Sequence, residues 1–212
     1  MGKKSVRMEK ATVKAIRDQK YTLEEYFELE RTSEERYEYW DGHVWLMAGA
    51  SSNHERIVIN AAVHLRTLLG RGCTVLGSNM KVIVPEFQPY RYPDLTVTCG
   101  KSVIEKIGGM EALVNPQMII EILSPSTEAF DRRKKFTYYK SIPTFTEYLL
   151  IATDQASITH YSKEGGDWVL AEVQGLDAIL PIPTFDVSML LSEIYLDVEF
   201  SDGRPDLFLV EN

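Results

Sequence analysis

The stretch QMIIEIL, residues 117–123, constrains this chain more than any other part of it. Side chains alternate across a strand, so Ile119, Glu121 and Leu123 share one face while Ile120 and Ile122 share the other. Both faces are apolar but for a single carboxylate, the pattern of a central strand covered on both sides. A buried charge is unfavourable by several kcal/mol unless something compensates it, so Glu121 needs a cation and a purpose.

The elements around this strand follow from local signals. YTLEEYFEL starts a helix, with Thr22 and Glu25 at capping-box spacing. RYEYW and HVWLMA read as a hairpin joined by Asp41-Gly42. Asn53 to Leu69 forms an amphipathic helix capped by Ser51, Ser52 or Asn53, with Ile57, Ala61, His64, Leu65 and Leu68 in its stripe and Gly70 at its end. Strands are expected over 73–78, 80–84 and 93–99, then a short helix and loop over 101–113. After QMIIEIL comes a helix in SPSTEAFDRRKKFTYYKS, strands over 146–152, 157–162 and 167–173, and a last helical piece over 185–194. A run of strands flanked by helices predicts a mixed sheet with helices packed on it.

At 212 residues and 44% hydrophobic, the chain suits one domain with a substantial core. No apolar run approaches the ~18–20 residues of a membrane helix, and the charged N-terminus has no signal-peptide core. Cys73 and Cys99 stand apart without paired spacing, which argues against a zinc or disulfide framework. A cytoplasmic protein is the resulting expectation. The net charge of −8 argues against avid, non-specific nucleic-acid binding. Residues 1–20 run the other way, with seven Lys/Arg against two acids, and read as a basic, disordered segment. A second basic cluster, Arg132, Arg133, Lys134 and Lys135, follows Glu121 closely; phosphate contact and a solvated face are its two readings.

Several motifs are excluded. HERIV begins like a zinc-protease helix, but Val58 stands where the second histidine belongs. CGKS lacks the leading glycine of a phosphate loop, and no G-x-S-x-G elbow occurs. His54 and His64 lie on different faces of their helix. What remains is a pair of carboxylates. In YPDLTVT, Tyr92, Asp94 and Thr96 share a face, and Asp94 follows Pro93 at a strand start or bulge. If the two strands are neighbours, Asp94 and Glu121 converge on one hard cation, Mg²⁺ or Mn²⁺.

YPDLTV followed by MIIEILSPST, with a lysine-bearing helix after it, resembles the PD-(D/E)XK nuclease superfamily, and within it the Uma-two restriction endonuclease family. YEYWDGHVWLMAGAS leading to a histidine-bearing helix start, the pattern SPST…D…K…Y, and TEYLLI as the next strand extend the resemblance over residues 21–195. It implies a restriction-endonuclease-like fold of the α/β (α+β) kind: a central mixed sheet flanked by helices, with an N-terminal β-hairpin. The expected organisation is a basic segment over 1–20, one domain over 21–198 and a tail over 199–212. One departure stands out. The superfamily lysine two residues after the glutamate is Leu123 here, and the Uma-type pattern places it on the following helix, best matched by Lys135, with Lys134 and Lys140 as alternative carriers.

The resemblance also places Glu38 near the site, on a face with Arg36 and Trp40; cross-strand pairing with a basic residue is its other reading. His54 reads as a capping or packing residue, with the cleft as the alternative. The implied activity is metal-dependent hydrolysis of nucleic acid, DNA above RNA. Asp94 and Glu121 would hold Mg²⁺ or Mn²⁺, Lys135 and Glu38 would complete the catalytic set, and Arg132, Arg133 and Lys134 would contact nucleic acid. A homodimer would supply the two sites that cutting both strands requires. The competing reading is an inactive nucleic-acid- or partner-binding module on the same fold.

Overall fold

Thr22 and Glu25 close the expected capping box, the Glu25 amide donating to the Thr22 hydroxyl at 3.2 Å and the Thr22 amide to Glu25 Oε2 at 2.7 Å. They start α1 (Leu23–Thr32). The computed structural model describes residues 20–35, 37–40, 42–46, 49–86, 90–124 and 127–200. The basic segment before Lys20, Arg36 and the tail beyond Phe200 lie outside the described residues. The aromatic runs pair as β1 (Tyr37–Trp40) and β2 (His43–Leu46), with Gly42 at φ 81° in the turn. Ser51 caps α2 (Ser52–Leu69) by accepting from the His54 amide at 3.2 Å, and Gly70, at φ 63°, ends it.

Then follow β3 (Cys73–Gly77), β4 (Lys81–Ile83), β5 (Tyr90–Arg91), β6 (Leu95–Cys99), β7 (Ile104–Ile107), β8 (Met110–Leu113) and β9 (Met118–Ile122). One helical run joins α3 (Glu128–Phe130), a π-helical stretch Asp131–Lys135 and α4 (Phe136–Tyr139). The chain continues through β10 (Glu147–Ile151), β11 (Ser157–Glu164), β12 (Asp167–Gln174), β13 (Ile179–Ile182), β14 (Val187–Leu190) and α5 (Leu191–Ile194).

The central sheet has the order β12-β11-β10-β9-β6-β3, with β9 and β10 parallel and the other neighbours antiparallel. β9 and β10 are buried along their whole length. As the alternation requires, Ile120 and Ile122 join Leu149 and Ile151 in a core under α2, α5 and the β13–β14 hairpin. Ile119 and Leu123 face the opposite core with Tyr148, Leu150 and the aromatic residues of α4. That second core is closed by β4 and β8 of a smaller sheet, order β5-β4-β8-β7. A third cluster, around Tyr26, Val44 and Tyr90, packs α1 and the β1–β2 hairpin on the smaller sheet.

Three expectations need correction. Residues 101–113 carry the β7–β8 hairpin rather than a helix: Gly108 and Gly109, at φ 59° and 84°, supply the two positive φ values of a tight two-residue turn. Over 185–194 only Leu191–Ile194 is α-helical; β14 occupies Val187–Leu190 and pairs with β13. Cys73 and Cys99 are bonded to each other, because β3 and β6 pair in the register that sets Cys73 opposite Cys99. A separation of 26 residues carries no local signal of that contact. The bond also withdraws the cysteine argument for a cytoplasmic location, since disulfides are rare in that compartment. No helix among the described residues is long and apolar enough to cross a membrane.

Candidate active site

β6 and β9 are neighbours with Leu95 opposite Ile120 and Thr96 opposite Ile119. One further step of this register sets Asp94 opposite Glu121. Asp94 Oδ2 accepts the Ile122 amide at 2.7 Å, which fixes the carboxylate against the end of the central strand. Glu121 is 3% exposed and projects into the core beneath the helical run. The Tyr139 hydroxyl donates to its Oε1 at 2.8 Å, and Lys135 Nζ lies 3.1 Å from its Oε2.

Lys135 reaches the strand from the inward face of its helical run. Residues four apart lie one above the other on a helix face. Asp131 and Lys135 both turn inward and pair at 3.0 Å, both buried, while Arg133 and Lys134 between them are exposed. The Tyr148 hydroxyl donates to the Asp131 carbonyl at 3.0 Å and pins this turn to β10. Of the three lysines, Lys135 alone meets Glu121 among the described contacts: Lys134 is exposed, and Lys140 sits 5.0 Å from the Phe136 ring.

Glu38 enters from the β1–β2 hairpin, its Oε1 3.9 Å from Lys135 Nζ and 3.5 Å from the Tyr92 amide, which donates to it. His54 comes from the first turn of α2, with Nε2 3.4 Å from Asp94 Oδ1 and Nδ1 3.7 Å from Glu55. Asp94, Glu121, Lys135 and Glu38 are thus brought together. Arg132 is not: it is tied to Glu128 Oε1 at 2.7 Å and to the Thr159 hydroxyl at 2.9 Å.

The electrostatics follow from burial and crowding. Desolvation pushes the Glu121 carboxyl well above the ordinary carboxylate range; Lys135 opposes this, while Asp131, Asp94 and Glu38 reinforce it. Burial alone would lower the Lys135 ammonium, but Glu121, Asp131 and Glu38 hold it well above its usual value, so it stays charged. His54 is also raised: burial works against the imidazolium, and Asp94, then Glu55, overcome it.

Residues 23–211 match the Uma2 family, described as "Putative restriction endonuclease". The chain belongs to the Uma2 family. Two curated relatives come from Synechocystis sp. This Uma2 chain is 32% identical over 183 residues to the uncharacterized protein slr1290, covering 85% of its own length and 94% of the relative's. It is 35% identical over 159 residues to the uncharacterized protein sll1609, covering 74% and 89%. In fold it is similar to a crystal structure from Anabaena variabilis described as "a putative nuclease belonging to DUF820". The TM-score is 0.63 at 17% identity, over 77% of this chain and 91% of that one.

Two members of this Uma2 cluster, Asp131 and Tyr139, entered the sequence reading only as letters of a pattern. Their signal was the 131, 135, 139 spacing, one helix face repeated at intervals of four, closing on Glu121.

Proposed function

We propose that this chain is a nuclease that hydrolyses phosphodiester bonds of DNA, with Asp94 and Glu121 holding Mg²⁺ or Mn²⁺. One observation carries the reading: Asp94 and Glu121 meet at the ends of two adjacent strands, with the buried Lys135 ammonium 3.1 Å from Glu121. The donor set suits a hard divalent cation, because three carboxylates (Glu38, Glu121 and Asp131) lie around one ammonium and Asp94 adds its charge beside Glu121. Among the described residues no three Asp, Glu, His or Cys side chains form a ready-made metal cage. Magnesium suits such a site, since it is bound through one or two carboxylates with water and substrate phosphate completing the shell. When bound there, the ion supplies Lewis-acid polarisation of the scissile phosphate and a more acidic water.

The chain's own residues supply the rest. Lys135, held charged, stabilises negative charge building on the phosphate and orients the attacking water. Tyr139 and the Ile122 amide fix the two carboxylates, so little reorganisation is needed as the reaction proceeds. Glu38 completes the catalytic set as the third carboxylate near Lys135. Exposed Arg133 and Lys134 would contact flanking phosphates, with Arg132 beside them.

The test is cleavage of supercoiled plasmid, single-stranded DNA and RNA with Mg²⁺ or Mn²⁺, with Asp94→Ala purified in parallel. Metal-dependent cutting lost in Asp94→Ala supports the reading, and the panel names the substrate. Metal-dependent binding without turnover would instead make the chain a binding module on a nuclease fold.

A further inference from the structure

The face of the β1–β2 hairpin that carries Glu38 has an aromatic surface which the proposed chemistry leaves unused. Directly opposed residues of an antiparallel pair project from the same face, and here Glu38 is opposite Trp45. His43, two residues earlier on β2, shares that face. The other face is committed to the fold: Tyr37 and Val44 are buried against Tyr26 and Tyr90. The Glu38 carboxylate points toward Lys135, so the Trp45 and His43 rings lie on the site side of the hairpin. Both are only partly buried, with ring centroids 6.4 Å apart and planes inclined at 48°.

We propose that Trp45 and His43 form a stacking platform for an unpaired base next to the scissile phosphate, so that the substrate is single-stranded or locally unpaired DNA. The proposal rests on the nuclease reading and specifies its substrate class. Aromatic side chains stack on any exposed base face, whereas a base inside a duplex has both faces occupied by its neighbours. The charge balance points the same way. Tracking a duplex requires many phosphate contacts, yet the chain carries −8 overall, and three of the described cations around the site are committed within the protein, leaving Arg133 and Lys134 exposed. Lys135 is held by Glu121 and Asp131, Arg132 by Glu128 and Thr159, and Arg91 is buried with its guanidinium on the Tyr39 carbonyl. Affinity that phosphate contacts do not supply has to come from the bases.

The experiment uses the full chain carrying Glu121→Gln, so that binding is read without turnover, with Mg²⁺ present. The probes are a fluorescein-labelled single-stranded DNA oligonucleotide, its blunt duplex and a forked duplex of the same sequence. Single-stranded and forked DNA should bind roughly tenfold tighter than the blunt duplex. Adding Trp45→Ala should weaken single-strand binding by roughly tenfold, while Trp45→Phe, which keeps a stacking ring, should stay within about threefold. His43→Ala carries the same expectation if Trp45→Ala melts early. Equal affinity for duplex and single strand, or single-strand binding indifferent to both alanine variants, overturns the proposal.

Cleavage by the otherwise wild-type chain separates the two readings. Duplex and single strand cut alike, with Trp45→Ala unaffected, sinks the stacking platform and leaves the nuclease standing. No cleavage of any probe beside Trp45-dependent single-strand binding does the reverse.

Discussion

Lys135 is the residue on which the cluster balances electrically. It is 7% exposed and is the only ammonium among the described contacts of Glu121 and Asp131, themselves 3% and 2% exposed. Lys135→Met leaves two buried acids without a cation, and breaking a buried pair in this way is worth about 3–5 kcal/mol. Glu121→Gln removes one acid from a crowded set and keeps an acceptor for Tyr139, so its effect on stability should stay below about 1 kcal/mol. Urea unfolding of the two variants checks the contrast; equal stabilities would mean that the ion pair does not carry this part of the fold. Both variants should lose hydrolysis, so activity and stability part company only at Glu121. Asp94 and Glu121 were each legible in the sequence as out-of-place carboxylates because each stands out within an apolar, β-prone run. Asp131 did not stand out, since an acid in DRRKK looks like any solvated helix residue until the docked helix face buries it.

At the scale of elements, the helices and the first hairpin announce themselves through Thr22, Ser51, Gly42 and Gly70, whose caps and turns are local. The β7–β8 hairpin was missed although its signal, Gly108-Gly109, is also local; the surrounding polar and apolar residues have no clear period. The structure shows a further demand on this turn. A Cβ on Gly108 would lie 2.5 Å from the Phe27 ring, whereas one on Gly109 meets nothing within 4 Å. Both glycines have positive φ, so each alanine loses about 1 kcal/mol of conformational compatibility. Gly108→Ala adds a clash worth about 1–3 kcal/mol more, which would loosen α1 from the smaller sheet. Thermal melts should therefore rank Gly108→Ala clearly below Gly109→Ala.

A second element-scale prediction concerns the docking of β14 on α2. The Leu190 amide donates to His64 Nε2 at 3.1 Å, which needs the neutral ring. Burial lowers the His64 pKa below the ordinary value near 6.5, with Glu193 opposing. In the window below 6.5 the unfolded chain therefore binds more protons at this position than the folded one. The stability this residue contributes is fully present above about pH 6.5 and is lost as pH falls from there through the folded value. Melting temperature against pH should show that decline, and His64→Gln should flatten it.

For the whole molecule, the disulfide ties the edge strand β3 to β6, closing 26 residues that include β4 and β5. By loop-closure entropy such a bond is worth about 2–4 kcal/mol. Cys73→Ser with Cys99→Ser should lower stability by that amount under oxidising conditions and match the wild type in dithiothreitol. Denaturation with and without reductant tests this, and thiol counting of the native protein tests the bond directly.

The amino-acid sequence by itself determined the buried two-faced strand around Glu121, the capped helices and the presence of two out-of-place carboxylates. These are properties of period, propensity and local hydrogen bonding, which act over a few residues. Only the tertiary structure decided that Asp94 lies opposite Glu121, that Lys135 rather than Lys134 or Lys140 reaches Glu121, that Cys73 meets Cys99, and that Trp45 flanks Glu38. Each of those depends on strand order, on register or on which helix face docks on the sheet. Contacts of that kind are set by which surfaces pack together across the molecule, and no short window of sequence contains them.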